Sequence, residues 1–248
     1  DVKGPEEISE ETAEEFISIL TSVGQIGRTL RLMYKAGVLE KIIPEMSQSR
    51  GLMEFNEYHQ FTVDEHSLRT VEAAEAYHGQ INLLGQVYDE VKRKHLLHLA
   101  LLLHDVGKGF EEDHCIVGGR IAAAVADRLR LKESHRDRLV FLVEKHSMMS
   151  HLAFRRDISD MNVVLPFTRE VGSLDLLRML YVLTAADITA VGPGTWNDWK
   201  GGLLAELYER SMLLLSGIRH DLEFHDRLTQ LRQLVRQYID GSAVLSGM

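Results

Sequence analysis

The chain has 248 residues, 45% of them hydrophobic and 26% charged, enough apolar material for one substantial core. With 37 acidic against 28 basic residues the formal charge is -9, so no overall field draws it to nucleic acid or an anionic membrane, and any phosphate must be met by local positive charge. One cysteine, Cys115, excludes an intramolecular disulfide and, on a count of sulfur ligands, a thiolate zinc site. That usage fits a reducing cytoplasm. Apolar runs such as Leu99 to Leu103 fall far short of a membrane span, and the acidic N-terminus is unlike a signal peptide. The chain opens on Asp1 rather than methionine, so a segment of a longer polypeptide is expected.

Four prolines leave long stretches free for helix, and no run shows sustained alternation, so the expected class is all-α. A first helix carries Phe16, Leu20 and Val23, and a second carries Ile26, Leu30 and Met33, stopped by Gly37. An irregular stretch follows from Pro44 to Tyr58. Thr62-Val63-Asp64-Glu65 has capping-box spacing and opens the helix containing His66. Further helices are expected over 93–107, 115–130, 134–147, 173–190, 196–215 and 219–240. The last places Phe224, Leu228, Leu231, Val235 and Ile239 on one stripe. These elements divide into a lead-in with its irregular segment (1–60), a core (61–215) and a C-terminal amphipathic helix (216–248).

Several ionisable residues stand where helical periodicity asks for apolar ones. His104 follows Leu97, Ala100 and Leu101 by seven, four and three positions, and Asp187 follows Leu180 and Leu183 by seven and four. His146 stands in the same relation to Leu139, Leu142 and Val143, while His114 shares a face with Val117 and Ile121. His66 precedes Thr70 and Ala73 by one and two turns. A buried carboxylate without a strong partner costs several kcal/mol or neutralises, and a metal ion is one such partner. Imidazole and carboxylate donors suit manganese, iron, zinc or magnesium. The bland alternatives are hydrogen-bonded core histidines at His114 and His146, and an ion pair of Asp187 with an arginine such as Arg178. Adjacent His104 and Asp105 are more specific, because neighbours on a helix diverge by about 100° and can both reach an ion lying between them.

At His66, His104-Asp105 and Asp187 the chain resembles the HD-domain superfamily of metal-dependent phosphohydrolases. Phe61-Thr62-Val63-Asp64-Glu65-His66, Leu103-His104-Asp105-Val106-Gly107-Lys108-Gly109, Arg155-Arg156-Asp157-Ile158 and Trp196-Asn197-Asp198-Trp199-Lys200 extend the likeness over roughly residues 28 to 215. Within that superfamily it is similar to the central domain of the bifunctional PII uridylyltransferase/uridylyl-removing enzymes. The resemblance implies an HD helical bundle with a divalent metal in its core. It also implies phosphodiester hydrolysis releasing UMP from a tyrosine of the PII nitrogen-signalling protein, a response to glutamine, and fusion to nucleotidyltransferase and ACT domains. No Asp-x-Asp pair of a nucleotidyltransferase occurs here, so UMP transfer is not expected of this chain. Relatives often carry a second histidine before the one at His146, where this chain has Lys145.

The expected first ion is held by His66, His104, Asp105 and Asp187, and a second by Asp105, His114 and His146. Lys108, one turn after His104, is expected to meet a nonbridging phosphate oxygen, against the alternative of a helix-end lysine neutralising the last carbonyls. Arg155, Arg156 and Lys200 are candidate phosphate or nucleotide contacts. Trp196 and Trp199 suit base stacking or, at a spacing of three, packing on one face. Two other readings stay open: a nucleotidase or cyclic-dinucleotide phosphodiesterase, and a regulatory module with a vestigial metal site.

Overall fold

The computed structural model describes residues 8–53 and 60–217. Among them lie thirteen α-helices and no strand, as the composition predicts. The expected helix over 219–240 lies outside the described residues, as does the end of the irregular stretch at Tyr58. Among the described residues no helix is long and apolar enough to cross a membrane.

The first two helices, α1 (Glu10–Ile19) and α2 (Ile26–Lys35), are not peripheral to the core. Phe16, Leu20, Ile26 and Leu30 are essentially fully buried and belong to the same apolar cluster as the rest of the bundle. Gly37, at φ +67°, ends α2 as its position after Lys35 predicts. Its N–H reaches the Tyr34 carbonyl at 3.1 Å and the Val38 N–H reaches the Met33 carbonyl at 2.9 Å, which satisfies two otherwise orphaned acceptors. Two short helices, α3 (Leu39–Ile42) and α4 (Met46–Ser49), follow. The second interrupts the stretch expected to be irregular, and four residues are too few for a periodic signal.

Helix α5 (Val63–Glu75) starts at the predicted cap, with the Thr62 carbonyl accepting from His66 N–H at 2.8 Å. The capping-box hydrogen bond itself is not made. The Thr62 hydroxyl turns to the Asp64 carboxylate, which also accepts from Tyr34 Oη and from the Gly51 N–H. This hub ties α2 and the segment after α4 to the start of α5. From the other end of α5, Glu75 caps α2 through the N–H groups of Ile26 and Gly27 at 2.8 and 3.0 Å.

The sequence reading omits α6 (Leu83–Glu90), α10 (Met148–Arg155) and α11 (Met161–Val171). Two are only eight residues long, and α11 contains Pro166. Pro166, at the sixth position, forfeits only the bond to the Asn162 carbonyl in the opening turns.

Helix α7 (Lys94–Leu103) is apolar nearly all round and every residue from Leu96 to Leu103 is buried, His98 included, as a central helix requires. Against it lie α5, α9 (Glu133–Glu144) and α12 (Leu174–Val191), while α8 (His114–Arg128) packs on α9, and α13 (Asp198–Leu215) closes over α10, α11 and α12. The consequence for function is that α5, α12 and the C-terminal ends of α7 and α9 meet in one place.

Candidate metal centre

Helix α7 is shorter than expected, so His104 is its C-cap and Asp105 lies in the turn beyond. The pair therefore does not diverge from a continuous helix. It sits where the chain leaves one, held by Val106 N–H to Leu103 O at 3.0 Å and Lys108 N–H to Asp105 O at 3.0 Å. His146 likewise lies two residues past the end of α9. Each ring is fixed by the same device: His104 Nδ1 donates to Leu101 O and His146 Nδ1 donates to Val143 O, both at 2.8 Å. In a neutral ring this leaves the Nε2 lone pair facing the interior, the tautomer a metal ligand needs.

Around that point four side chains converge. His66 Nε2 lies 3.3 Å from His104 Nε2 and 2.9 Å from Asp187 Oδ1. Asp105 Oδ2 is 3.3 Å from His104 Nε2 and 3.8 Å from His66 Nε2, and Asp187 Oδ1 is 3.5 Å from His104 Nε2. Asp105 is nearly inaccessible, with 4% of its side chain exposed, whereas Asp187 keeps 26%, so the cluster opens to solvent on the α12 side. Arg178, the alternative partner for Asp187, instead pairs with Glu90 at 2.9 Å.

The charges respond strongly to one another. Burial works to depress the His104 imidazole, but Asp105 and Asp187 override it and hold its pKa up at about 10. Burial also opposes ionisation of the two aspartates, yet His104 with Lys108 keeps Asp105 well below the usual carboxylate range, and His104 with His66 does the same for Asp187. The site thus confines a positive charge between two carboxylates.

Asp105 faces two ways. Its Oδ2 takes the Lys108 ammonium at 2.9 Å, while its Oδ1 is 3.8 Å from His146 Nε2. His146 stacks its edge toward His104 and lies 5.5 Å, centroid to centroid, from His114. Burial pushes the His146 imidazole down, against the pull of Asp105. Within the described residues two groups have ligand atoms mutually within 4.8 Å: His66, His104 and Asp105, and then His114, Cys115 and His146. The donor chemistry therefore fits a divalent ion at the first position. A single cysteine cannot build an all-thiolate cage, but its sulfur can stand as one donor among histidines.

The chain belongs to the HD-domain family. The family model for the HD domain matches residues 63–187, half of the chain, running from the start of α5 through Asp187. HD domains are in general metal-dependent phosphohydrolases.

Close packing holds the HD turn against α8. A Cβ on Gly107 would stand 2.1 Å from the His114 carbonyl oxygen and 2.6 Å from the Gly118 nitrogen, so only glycine permits this approach. Asp113 caps α8 through the N–H groups of Cys115 and Ile116 at 2.8 and 3.4 Å, placing His114 and Cys115 in the first turn beside the HD turn. The Cys115 thiol is pushed up by burial and by the carboxylates of Asp113 and Asp105. A cavity of about 430 Å³ adjoins the centre, with Lys108 and His114 on one side, an apolar wall of Leu52, Met53 and Phe110, and the carboxylates of Glu111 to Asp113. The sequence pointed to Cys115 only as the sole cysteine and gave no sign of this apolar wall.

The remaining expected contacts have surroundings of their own. The Lys200 ammonium donates to the Thr195 carbonyl at 2.8 Å. Arg155 and Arg156 are exposed at the end of α10, and Arg156 borders a separate cavity with Lys145 and His151. Lys145 itself pairs with Glu170 at 2.6 Å. The two tryptophans do not share a helical face, because α13 begins only at Asp198: Trp196 packs on the core, and the exposed Trp199 stacks on Phe154 at 6.2 Å.

Proposed function

We propose that this HD domain is a metal-dependent phosphodiesterase that removes UMP from a uridylylated PII-type signalling protein. The observation that carries the hydrolytic reading is the convergence of His66, His104, Asp105 and Asp187, with three of them buried and both ring Nε2 atoms 3.3 Å apart. The choice of substrate and the PII partner rest on the motif resemblance from Phe61 to Lys200, and a cytoplasmic setting rests on the single cysteine.

His66, His104, Asp105 and Asp187 would hold the first ion, and Asp105, through its other oxygen, would help His114 and His146 hold a second. When bound, a divalent ion acidifies a water molecule for attack and neutralises charge on the phosphoryl group. The protein supplies the rest. The backbone carbonyls of Leu101 and Val143 orient two imidazoles, which removes their reorganisation from the reaction. Lys108, with 12% of its side chain exposed and anchored on Asp105, presents positive charge toward the adjoining cavity, where a nonbridging phosphoryl oxygen would gain from it as charge develops. Phe110, Leu52 and Met53 offer an apolar surface for the ester's organic portion. Arg155, Arg156 and Lys200 retain the role of candidate contacts to the nucleotide or its carrier.

The test is release of UMP from uridylylated PII with manganese or magnesium added, against free mononucleotides and cyclic dinucleotides as competitors. UMP release as the preferred reaction, abolished in Asp105→Ala, supports the proposal. Preference for a free nucleotide keeps the chemistry and overturns the substrate. Bound ion with no turnover on any ester overturns the enzyme.

A further inference from the structure

Cys115 is the chain's single cysteine, and its Sγ lies 3.5 Å from His114 Nε2 in the first turn of α8. A thiol there would by itself mean little, but two observations point it toward an ion. Donor atoms of His114, Cys115 and His146 all lie within 4.8 Å of one another. Ligands of one zinc-like ion, with metal–sulfur bonds of about 2.3 Å and metal–nitrogen bonds of about 2.0 Å, stand about 3 to 4 Å apart, so small side-chain rotations would close the set. Independently, His146 is only 4% exposed. Its Nδ1 is used by the Val143 carbonyl, and its Nε2 points into this group with Asp105 Oδ1 at 3.8 Å, beyond hydrogen-bonding distance. The one ring nitrogen of His146 not committed to the backbone therefore faces the thiol and the second imidazole.

We propose that Cys115 is a metal ligand, completing with His114, His146 and Asp105 Oδ1 a mixed nitrogen, sulfur and oxygen site that takes a thiophilic divalent ion such as zinc or cobalt(II) in preference to magnesium. The inference deepens the functional reading and rests on the second ion position being real. Binding replaces the S–H bond with a sulfur–metal bond and releases the proton to solvent. The two positions then differ in kind. The His66, His104, Asp105 and Asp187 set offers only nitrogen and oxygen, while the Cys115 set adds a soft donor that discriminates against hard cations.

The experiment is titration of metal-free full chain with cobalt(II), followed by absorption spectroscopy. A sulfur-to-cobalt charge-transfer band in the near ultraviolet is expected, saturating with one equivalent, retained in Asp187→Asn and lost in both Cys115→Ser and His146→Ala. Circular dichroism checks that the variants fold, and Cys115→Ala serves as the second cysteine variant. In competition, Cys115→Ser is expected to lose at least tenfold in zinc preference over magnesium. Visible cobalt bands for two equivalents without any sulfur band would remove Cys115 from the site and overturn the proposal while leaving hydrolysis intact. Binding of a single equivalent without a sulfur band would overturn it by removing the second ion. Failure of UMP release with the sulfur band present would sink the substrate reading alone.

Discussion

His66 Nε2 and His104 Nε2 lie 3.3 Å apart although 38 positions separate the residues in the chain. Two ring nitrogens without a proton would repel at that distance, so a proton or a cation has to lie between or beside them. In the metal-free protein a proton is held on His104, whose pKa stands at about 10 against an ordinary 6.5 because Asp105 and Asp187 outweigh the effect of burial. An incoming dication has to expel it.

Metal binding should therefore release protons, at about one per ion at the first position near pH 8. Calorimetry of manganese binding in two buffers of different ionisation enthalpy would measure the number. The same shift sets the stability of the metal-free chain. Because the folded pKa is raised, stabilisation from protonated His104 is complete below about 6.5 and is lost as pH climbs toward about 10. The metal-free melting temperature should fall across that window and the metal-loaded one should fall less. Equal heats in both buffers would refute the proton account.

Asp187 closes the cluster from α12 and is its most accessible member. Asp187→Asn keeps shape and hydrogen bonding to His66 but removes a negative charge. Affinity for the first ion should drop by at least the roughly 10- to 100-fold that loss of a supporting group costs, and turnover should fall with it. Metal content by elemental analysis and UMP release by chromatography would follow the two effects separately. Unchanged affinity would mean that Asp187 only orients His66.

Much of this centre was legible because its residues violate helical periodicity: an inward imidazole at His104 and an inward carboxylate at Asp187 stand out against Leu97, Leu101, Leu180 and Leu183. The termination of α7 at Leu103 was not legible, since local propensity favours continuing the helix, and the turn is set by contact of Gly107 with α8. Nor could the sequence reveal that Arg178 belongs to Glu90 or that Cys115 approaches His146, because both depend on how separate helices pack. Short helices such as α4 and α10 likewise owe their conformation more to the core they cover than to their own pattern.

His98 is a histidine of another kind, fully buried in α7, with Nδ1 2.7 Å from the Leu20 carbonyl and Nε2 3.0 Å from Tyr88 Oη. Burial pushes its pKa down to about 4. Between pH 6.5 and about 4 the unfolded chain binds a proton that the folded chain refuses, so stability declines as pH falls through that interval. The shift corresponds to a loss on the order of 3 kcal/mol once pH lies below both values. His98→Asn, which retains polar groups without titrating, should start less stable at neutral pH and show a flatter decline in melting temperature. A slope identical to that of the parent would assign the acid sensitivity elsewhere.

Gly107 and Gly202 offer a paired test of whether the HD turn must touch α8. A Cβ at Gly202, inside α13, meets nothing within 4 Å, whereas one at Gly107 meets backbone atoms at 2.1 and 2.6 Å that no rotamer change can move. Gly202→Ala should raise stability by about 0.4–1 kcal/mol by restricting the unfolded chain. Gly107→Ala has to separate the turn from the start of α8 at a cost of about 1–3 kcal/mol. That separation moves Asp105 and His104 away from His114, so the second ion should weaken more than the first. Denaturant melts of the metal-free variants would give the stability difference, and cobalt titration would give the two affinities. A Gly107→Ala chain as stable as its parent, binding both ions equally well, would show that the turn tolerates displacement and that the centre does not depend on this contact.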